Sequence, residues 1–369
     1  MAKVPDQPPG ALPGPDPGLP RDAPDSNQGY EVIGGGEIDD RFPVRRATPE
    51  HAVHPQEDAR RALVNAVRNG GSQAWSSWTS WSYWLACSAA LGLSWALAAA
   101  TVSFGQANGW FESSVPSASN LLAAAWLAVL SAVLGTVWGF ASSGNVLAVL
   151  TAGALRSAGL ALPAGVLLAA VGAGSGVPIG VAGAAVVVTV VEGALFGLIG
   201  HGARQCFRSR AAGSALATVV LVVLCLANVV ATVALLPSTQ GTAQASVPVN
   251  VERDDAGRIT SYECVGRPRP VDVAYTERVA WMAASHPALL LGGLAGGMVP
   301  RDHDLAWVLA GLQWAADGPA RDVPCLDGQS SEGLPPSVPV AVTGLAVQVV
   351  VAAMVVVPGR RLGARRRRT

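Results

Sequence analysis

Charge is scarce in this chain, and its scarcity excludes an ordinary soluble domain. Only 14% of the 369 residues are Asp, Glu, Lys or Arg, whereas a typical soluble domain carries about 25%. Half of the residues are hydrophobic, and the charges lie mainly in tails and loops between long uncharged runs. We therefore predict an all-α fold, a polytopic membrane helix bundle with about six transmembrane helices.

Cysteine and catalytic motifs are scarce as well. The five cysteines are too few for a disulfide scaffold, and no pair forms a CxxC motif. The triplet Gly34–Gly36 is followed by Glu37 rather than by Lys and Ser or Thr, so it is no phosphate-binding loop. No Ser/His/Asp set is recognisable. We expect no enzyme activity, no catalytic residues, no cofactor, no metal site and no binding of nucleic acid.

The last uncharged run fixes the predicted topology. Residues 338–357 carry no charge and are long enough for a membrane span, which needs about 20 apolar residues. Arginines follow at once, after Pro358-Gly359, and arginines next to a span stay in the cytoplasm. We therefore predict a sixth span at 337–358, a basic cytoplasmic tail at 359–369, and both termini in the cytoplasm.

The first 82 residues contain two predicted segments before any span. Residues 1–57 are polar and rich in Pro and Gly, which predicts a disordered cytoplasmic tail. Residues 58–82 begin with an amphipathic stretch, broken at Gly70-Gly71, and continue with tryptophans at every third position: Trp75, Trp78, Trp81 and Trp84. Trp prefers the membrane interface. The segment is either an amphipathic helix lying on the cytoplasmic surface or simply the anchor of the first span.

Five further spans are predicted within residues 83–236. Their expected limits are 83–104, 120–141, 157–174, 177–199 and 214–236. The second carries Gly135-x-x-x-Gly139, a spacing that lets two helices approach closely. We place a separate cytoplasmic re-entry or short amphipathic piece at Gly144–Arg156. Arg156 then lies at the inner interface, which avoids a cost of about 2.5–3.5 kcal/mol for a charge at the centre of a span.

Residues 237–336 form a predicted extracytoplasmic segment, which we expect to be mostly helical. Outside the membrane two cysteines of one segment usually pair, so we predict a disulfide between Cys264 and Cys325. The remaining cysteines should stay as thiols. The uncharged run Val279–Val299 is re-entrant, interfacial or membrane-spanning, and we favour helices that dip toward the outer interface.

Two polar residues lie within predicted spans. Glu192 is the only acid there, and it serves either as a proton relay or substrate contact, or as a structural group that faces the inner mouth or pairs with Arg156. Asn228 in the fifth span is expected to form an interhelical hydrogen bond. Together, Glu192, Asn228 and Arg156 are the candidate intramembrane polar site.

Two stretches near the end of the chain resemble a known family. Residues 276–291 read TERVAWMAASHPALLL and residues 307–313 read WVLAGLQ. They are similar to a segment of type-2 ABC-transporter permeases of high-GC bacteria, and the resemblance covers roughly residues 214–368. Such permeases have six spans, an N-terminal interfacial helix, a cytoplasmic coupling element after the second span, and short external helices between the fifth and sixth spans.

The resemblance implies a function and its partners. It implies a permease subunit of an exporter in the bacterial plasma membrane, in contact with membrane lipids and energised by a separate ABC ATPase subunit, as a homo- or heterodimer. Residues 60–68 would be the interfacial helix and Gly144–Arg156 the coupling element. An alternative is an accessory membrane protein that presents residues 237–336 to a partner. A proton-coupled carrier using Glu192 is a third hypothesis, although the chain shows no clear inverted repeat.

Overall fold

Long apolar helices form the frame of the protein. The computed structural model describes residues 55–109, 115–253, 259–300, 303, 305–328 and 338–366, all within one unit, His54–Thr369. In this part of the chain six helices are long and apolar enough to cross a membrane, or seven if a bent pair counts as one more. The predicted helical bundle with about six long apolar helices is confirmed. Most of the predicted N-terminal tail, residues 1–54, lies outside the described residues.

The first half of the chain contains five long helices. They are α1 (Pro55–Trp78), α2 (Trp81–Ala107), α3 (Val115–Ala141), α4 (Val146–Ser175) and α5 (Ile179–Cys206). Local signals set their limits. Asn145 caps α4 by accepting a hydrogen bond from the Ala148 N–H at 2.8 Å, and Gly176 ends α4 in the left-handed conformation that glycine tolerates best.

The second half begins with an irregular fifth span and ends with a long helix. The fifth of the six long apolar helical stretches, which we call the fifth span, comprises α6 (Arg210–Val222), a π-helical turn (Val223–Ala227), α7 (Asn228–Leu235) and a 3₁₀ turn (Leu236–Thr239). Then come β1 (Gln240–Arg253), β2 (Ile259–Ala274), α8 (Glu277–Ala284), α9 (Pro287–Ala295), a 3₁₀ turn (Gly296–Met298), α10 (Ala306–Asp317), α11 (Pro319–Asp322) and α12 (Val340–Arg366).

Helix α5 lies at the centre, between α3, α4 and α12. The glycines predicted to allow a close approach do so: a Cβ added to Gly135 or Gly139 would lie against the backbone of Gly193 or Gly197 on α5. Small residues let two helix backbones approach closely, which increases their van der Waals packing, one of the interactions that associate helices in a bilayer. The predicted role of this glycine pair is therefore confirmed.

Three predicted helix limits are wrong. The amphipathic stretch does not break at Gly70-Gly71, because α1 continues through it to Trp78, with Gly70 packed against Ala148 and Thr151 of α4. No separate piece exists at Gly144–Arg156, since most of those residues are the first turns of α4. The last helix does not stop at Pro358-Gly359 but continues to Arg366.

The segment between the fifth and sixth spans is less helical than predicted. Strands β1 and β2 pair as an antiparallel hairpin, with Gln240 opposite Ala274 and Val249 opposite Glu263. Valines alternate along β1 at Val247, Val249 and Val251, a period typical of a strand. The expectation of a mostly helical segment therefore missed its first third, although α8 to α11 follow as helices.

The uncharged run Val279–Val299 folds as a bent pair of helices. Helix α8 and the helical stretch Pro287–Met298 meet at an angle of 107°. Helix α9 packs on α3 and α5, and α8 packs on α7 and α12. Ser285 and His286 lie at the break between them. The pair is therefore part of the helix bundle rather than a separate surface layer.

Candidate functional site

The break between α8 and α9 is the centre of the candidate site. Helix α9 starts with Pro287, whose missing N–H costs nothing at the first helical position. His286 caps the helix, its Nδ1 accepting a hydrogen bond from the Ala288 N–H at 3.2 Å. His-Pro thus stops α8 and restarts the chain as α9 in a new direction.

Two neighbouring spans hold Ser285 at this break. The side-chain amide of Gln348 on α12 donates from Nε2 to the Ser285 carbonyl at 2.9 Å. Asn228 on α7 donates from Nδ2 to Ser285 Oγ at 2.6 Å, and that hydroxyl donates in turn to the Met282 carbonyl at 2.8 Å. The backbone carbonyl that the break exposes therefore has a partner from the sixth span.

His286 ties the break to the irregular turn of the fifth span. Its Nε2 lies 2.9 Å from the Cys225 carbonyl, inside the π-helical turn. A carbonyl only accepts, so Nε2 donates there while Nδ1 accepts from Ala288, and one neutral tautomer satisfies both bonds. π-helical turns are rare and occur frequently at functional sites. The π turn and the helix break thus meet at one histidine.

Glu192 joins the same cluster from the central helix. Its Oε1 accepts a hydrogen bond from Gln348 Nε2 at 2.7 Å, so that amide bridges α5 and the break. Glu192, Gln348 and Ser285 are completely buried. We call this set the break cluster; its members are Glu192, Asn228, Ser285, His286 and Gln348.

The break cluster has unused hydrogen-bonding capacity. Glu192 Oε2 and Gln348 Oε1 are buried without a hydrogen-bond partner, as is Thr189 Oγ1, one turn before Glu192 on α5. A buried acceptor without a donor costs about 1–3 kcal/mol. A proton, a water or a polar group of a ligand could satisfy these oxygens. The cluster therefore has the chemistry of a small polar binding site inside an apolar bundle.

Helix α12 approaches the break very closely. A Cβ added to Gly344 would lie against the Ala284 carbonyl oxygen, at the last residue of α8. Only glycine leaves room for this contact, and Gln348 follows one turn later on the same helix. The close approach at Gly344 is what brings the Gln348 amide within reach of Ser285.

Arg156 lies in a different environment from Glu192. Its guanidinium donates from Nε to Ser77 Oγ at 2.8 Å, from Nη1 to Ser142 Oγ at 2.9 Å and from Nη2 to the Gln73 carbonyl at 3.2 Å. These contacts tie α4 to α1 and to the end of α3. The predicted pairing of Arg156 with Glu192 is not what the structure shows, and Arg156 is a structural tie between helices.

The four tryptophans do not form one helical stripe. Trp75 and Trp78 end α1, whereas Trp81 and Trp84 begin α2 across the short junction at Thr79-Ser80. Trp84 Nε1 donates to the Trp78 carbonyl at 2.7 Å, which closes the junction. Trp75 and Trp81 are strongly exposed, whereas Trp78 is half-buried, and the interfacial role of the four stays a prediction.

The predicted disulfide is present. Cys264 on β2 is bonded to Cys325, with their Cα atoms 5.6 Å apart, and Ala245 of β1 pairs with Leu326 beside it. Cys87, Cys206 and Cys225 are free. The bridge fastens the hairpin to the residues that precede the sixth span.

Three members of the break cluster, Ser285, His286 and Gln348, are not among the site residues that the sequence predicts. Gln348 is the one amide side chain within the last apolar run, which is a readable signal of a buried polar contact. Ser285 carried no such signal, because its role depends on the neighbours that packing supplies. No group of three or more His, Cys, Asp or Glu side chains suited to a metal ion occurs in the described ranges.

These features define a class of protein. Six long apolar helices fit a multi-pass membrane protein. Comparison with known proteins adds no narrower assignment, because the chain matches no protein-family model, no curated protein and no solved structure. The function is therefore argued from the site itself.

Proposed function

We propose that the protein is the membrane-spanning permease subunit of an ABC-type exporter, energised by a separate ATP-binding subunit in the bacterial plasma membrane. The observation that carries the proposal is the bent helix pair between the fifth and sixth spans, whose break lies in a buried polar cluster. The sequence resemblance over residues 214–368 supports the same class, since such permeases carry short helices at this position.

A helix break among apolar spans is costly unless the backbone groups that it exposes find hydrogen-bond partners. In lipid every backbone polar group needs a partner, so irregular backbone at membrane depth is tolerated only inside protein or beside a cavity. Transporters commonly place their substrate sites at discontinuous helices near the midplane. Ser285 has partners on two spans, so a shift of α7 or α12 changes the contacts of the break.

The proposed orientation follows from charge. Arg204 in the last turn of α5, Arg208 in the α5–α6 turn and Arg210 at the start of α6 lie close together in sequence, and α12 ends among arginines, so we place this end of the bundle in the cytoplasm. The hairpin and α8 to α11 are then extracytoplasmic or embedded at the outer side. The ATPase would dock at the cytoplasmic end, at the α3–α4 turn that includes Gly144.

The fifth span offers a surface for a second membrane subunit. Only 6% of its most apolar stretch is buried inside the chain. Val219, Leu226 and Val233 are among its strongly exposed apolar side chains. A homodimer or heterodimer through this face is consistent with the permease proposal, and lipid covers the face in a monomer.

Purification through a C-terminal tag in mild detergent, followed by mass spectrometry, tests the proposal. The expected result is a stoichiometric partner that carries a phosphate-binding loop, absent from a matched preparation of an unrelated tagged multi-pass protein. A preparation without any ATP-binding protein, repeated after cross-linking in cells, would contradict it.

The hairpin favours a second candidate function. The disulfide fastens a long two-stranded sheet whose Val247 and Val265 side chains are exposed, and Trp307 and Trp314 are exposed on α10. Exposed aromatic and β-branched residues suit recognition of a protein partner. An accessory protein would capture its partner through a photo-cross-linker at Val247 but not through one at Val230 on the fifth span.

A further inference from the structure

A basic cleft lies at one end of the bundle, apart from the break cluster. Its cavity of about 730 Å³ is bounded by the ends of α3, α5, α6 and α12. Four arginines line it: Arg204, Arg208, Arg210 and Arg366. Among the residues that the structure describes, no carboxylate lines the cleft. The cavity is therefore strongly positive, and an anion is the ligand that its charge selects.

Two of the arginines are held in place by the ends of the spans. Arg366 donates to the carbonyls of Gln205 and Cys206, at 3.2 and 2.7 Å, which docks the end of α12 on the last turn of α5. The Arg204 guanidinium lies 6.0 Å from the centre of the Phe140 ring on α3. Both groups are thereby positioned before any ligand binds.

The charges of the other two arginines are not neutralised by an ion pair within the described residues. Arg208 and Arg210 are exposed, and neither has an ion-pair partner in the described part of the chain. Arg210 is also the first residue of α6, where the helix dipole disfavours a positive charge. A bound anion would interact favourably with the arginine, whereas the Ala212 N–H of that first turn is already bonded to the Ser209 hydroxyl that caps the helix.

The depth of the cleft points to a membrane lipid. Helix α5 has 28 residues and is therefore about 42 Å long, longer than the hydrocarbon core of about 30 Å. The cleft is built around its last turn and the turn that follows, so it lies at the level of the lipid headgroups. Phe140 and Phe207 add apolar walls beside the arginines.

We propose that this cleft binds the phosphate of an anionic phospholipid headgroup from the adjacent leaflet. Arginine suits this ligand because its planar fork donates two hydrogen bonds to one phosphate. Basic pockets between transmembrane helices recognise anionic headgroups in the same way. The inference uses the position and charge of the cleft and does not rest on the transport proposal, although Ser143 and Gly144 of the cleft belong to the α3–α4 turn that the transport proposal gives to the ATPase.

Lipid titration of the purified protein tests the assignment. The probes are phosphatidylglycerol, phosphatidylcholine and inorganic phosphate, each added to protein delipidated in a neutral detergent and followed by native mass spectrometry and thermal melting. Phosphatidylglycerol is expected to bind and raise the melting temperature. Arg208→Gln with Arg210→Gln should weaken its binding by about tenfold or more.

The control is Arg361→Gln, which removes one exposed arginine of α12 that does not line the cleft. It should leave lipid binding unchanged. Single Arg208→Gln and Arg210→Gln variants provide the measurement if the double variant folds poorly, and each should weaken binding by a few fold. Three results would overturn the proposal. Phosphatidylcholine would bind as well as phosphatidylglycerol, inorganic phosphate would raise the melting temperature as much as phosphatidylglycerol, or Arg361→Gln would weaken lipid binding as much as the cleft variants do.

Discussion

Helix α5 and the fifth span are both long and apolar, yet they occupy opposite situations in the molecule. In α5, 56% of the most apolar stretch is buried inside the chain, against 6% in the fifth span. Helix α5 packs on α3, α4, α9 and α12, whereas the fifth span packs on α3, α5 and α8 and buries Leu224 in one apolar cluster with Phe196 and Ile199. Apolarity alone therefore does not decide which helix lies at the centre.

The difference lies in how each helix is attached. Helix α5 presents small residues such as Gly193 and Gly197, which let the α3 backbone approach it directly. The fifth span presents valine and leucine outward and is joined to the break by Asn228 and by the Cys225 carbonyl. Small-residue packing positions α5, whereas the fifth span combines the packing of Leu224 with the hydrogen bonds at the break.

The largest effect is expected from a single methyl group at the α3–α5 contact. In Gly139→Ala the new Cβ would lie against the Gly197 carbonyl, so α3 and α5 must separate, which we expect to lower stability by about 3 kcal/mol. The matched control is Gly183→Ala on α5, which has open space at that position. Thermal melting in detergent should show a loss only for Gly139→Ala, and equal behaviour of the two variants would contradict the packing argument.

The next effect is expected at Glu192. Glu192→Ala removes the carboxyl acceptor of Gln348 Nε2 and leaves a space in the core, which should cost about 2 kcal/mol. Glu192→Gln keeps an oxygen acceptor and should cost less. The two melting temperatures are compared with that of the wild type. If Glu192→Ala is as stable as Glu192→Gln, the bond to Gln348 contributes nothing.

A smaller effect is expected at the attachment of the fifth span. Asn228→Ala removes the donor to Ser285 Oγ and should cost about 1 kcal/mol, in the range of hydrogen bonds between membrane helices. Thr232→Val is the control, because the Thr232 hydroxyl bonds only to the Asn228 carbonyl of its own helix. Amide hydrogen exchange in α8 should become faster in Asn228→Ala but not in Thr232→Val. If α8 is equally protected in both variants, Asn228 does not attach the fifth span to the break.

The smallest effect is expected on the outer face of the fifth span. Leu226→Ala changes a side chain that is 60% exposed, so the free energy of unfolding of the monomer should change by less than about 0.5 kcal/mol. Thermal melting in detergent measures this change. Leu224→Ala, two residues earlier in the same π turn, removes a buried side chain and should be clearly destabilising. A large loss of stability in monomeric Leu226→Ala would mean that this face of the fifth span packs inside the chain. That result would contradict the contrast between α5 and the fifth span.

The frame of the fold was predictable because charge and apolar length are local properties of the sequence. The six long helices, the contact at Gly139 and the Cys264–Cys325 bridge all followed from such signals. The limits of α4 were not predictable in this way, because a charge such as that of Arg156 is costly within a span and therefore indicates a helix end. Its partners Ser77 and Gln73 come from a helix about 80 residues away, and only packing reveals that the charge is satisfied inside.

The candidate site was predictable in part for the same reason. Glu192 and Asn228 stand out as polar residues within apolar runs, and both belong to the break cluster. The roles of Ser285, His286 and Gln348 depend on the bend of the α8–α9 pair, which no local pattern fixes. The hairpin was missed although Val247, Val249 and Val251 alternate, because helices were expected throughout that segment.

The position of the helix break inside the bundle is tested most directly by a disulfide cross-link between Asn228→Cys and Ser285→Cys. The two side chains are in hydrogen-bond contact, so mild oxidation in membranes should join the cysteines in a background that lacks Cys225. The pair Val230→Cys with Ser285→Cys is the control, because Val230 faces outward. Efficient cross-linking of the first pair alone is the predicted result. Folded protein in which the first pair fails to cross-link would contradict a break that is held among the spans.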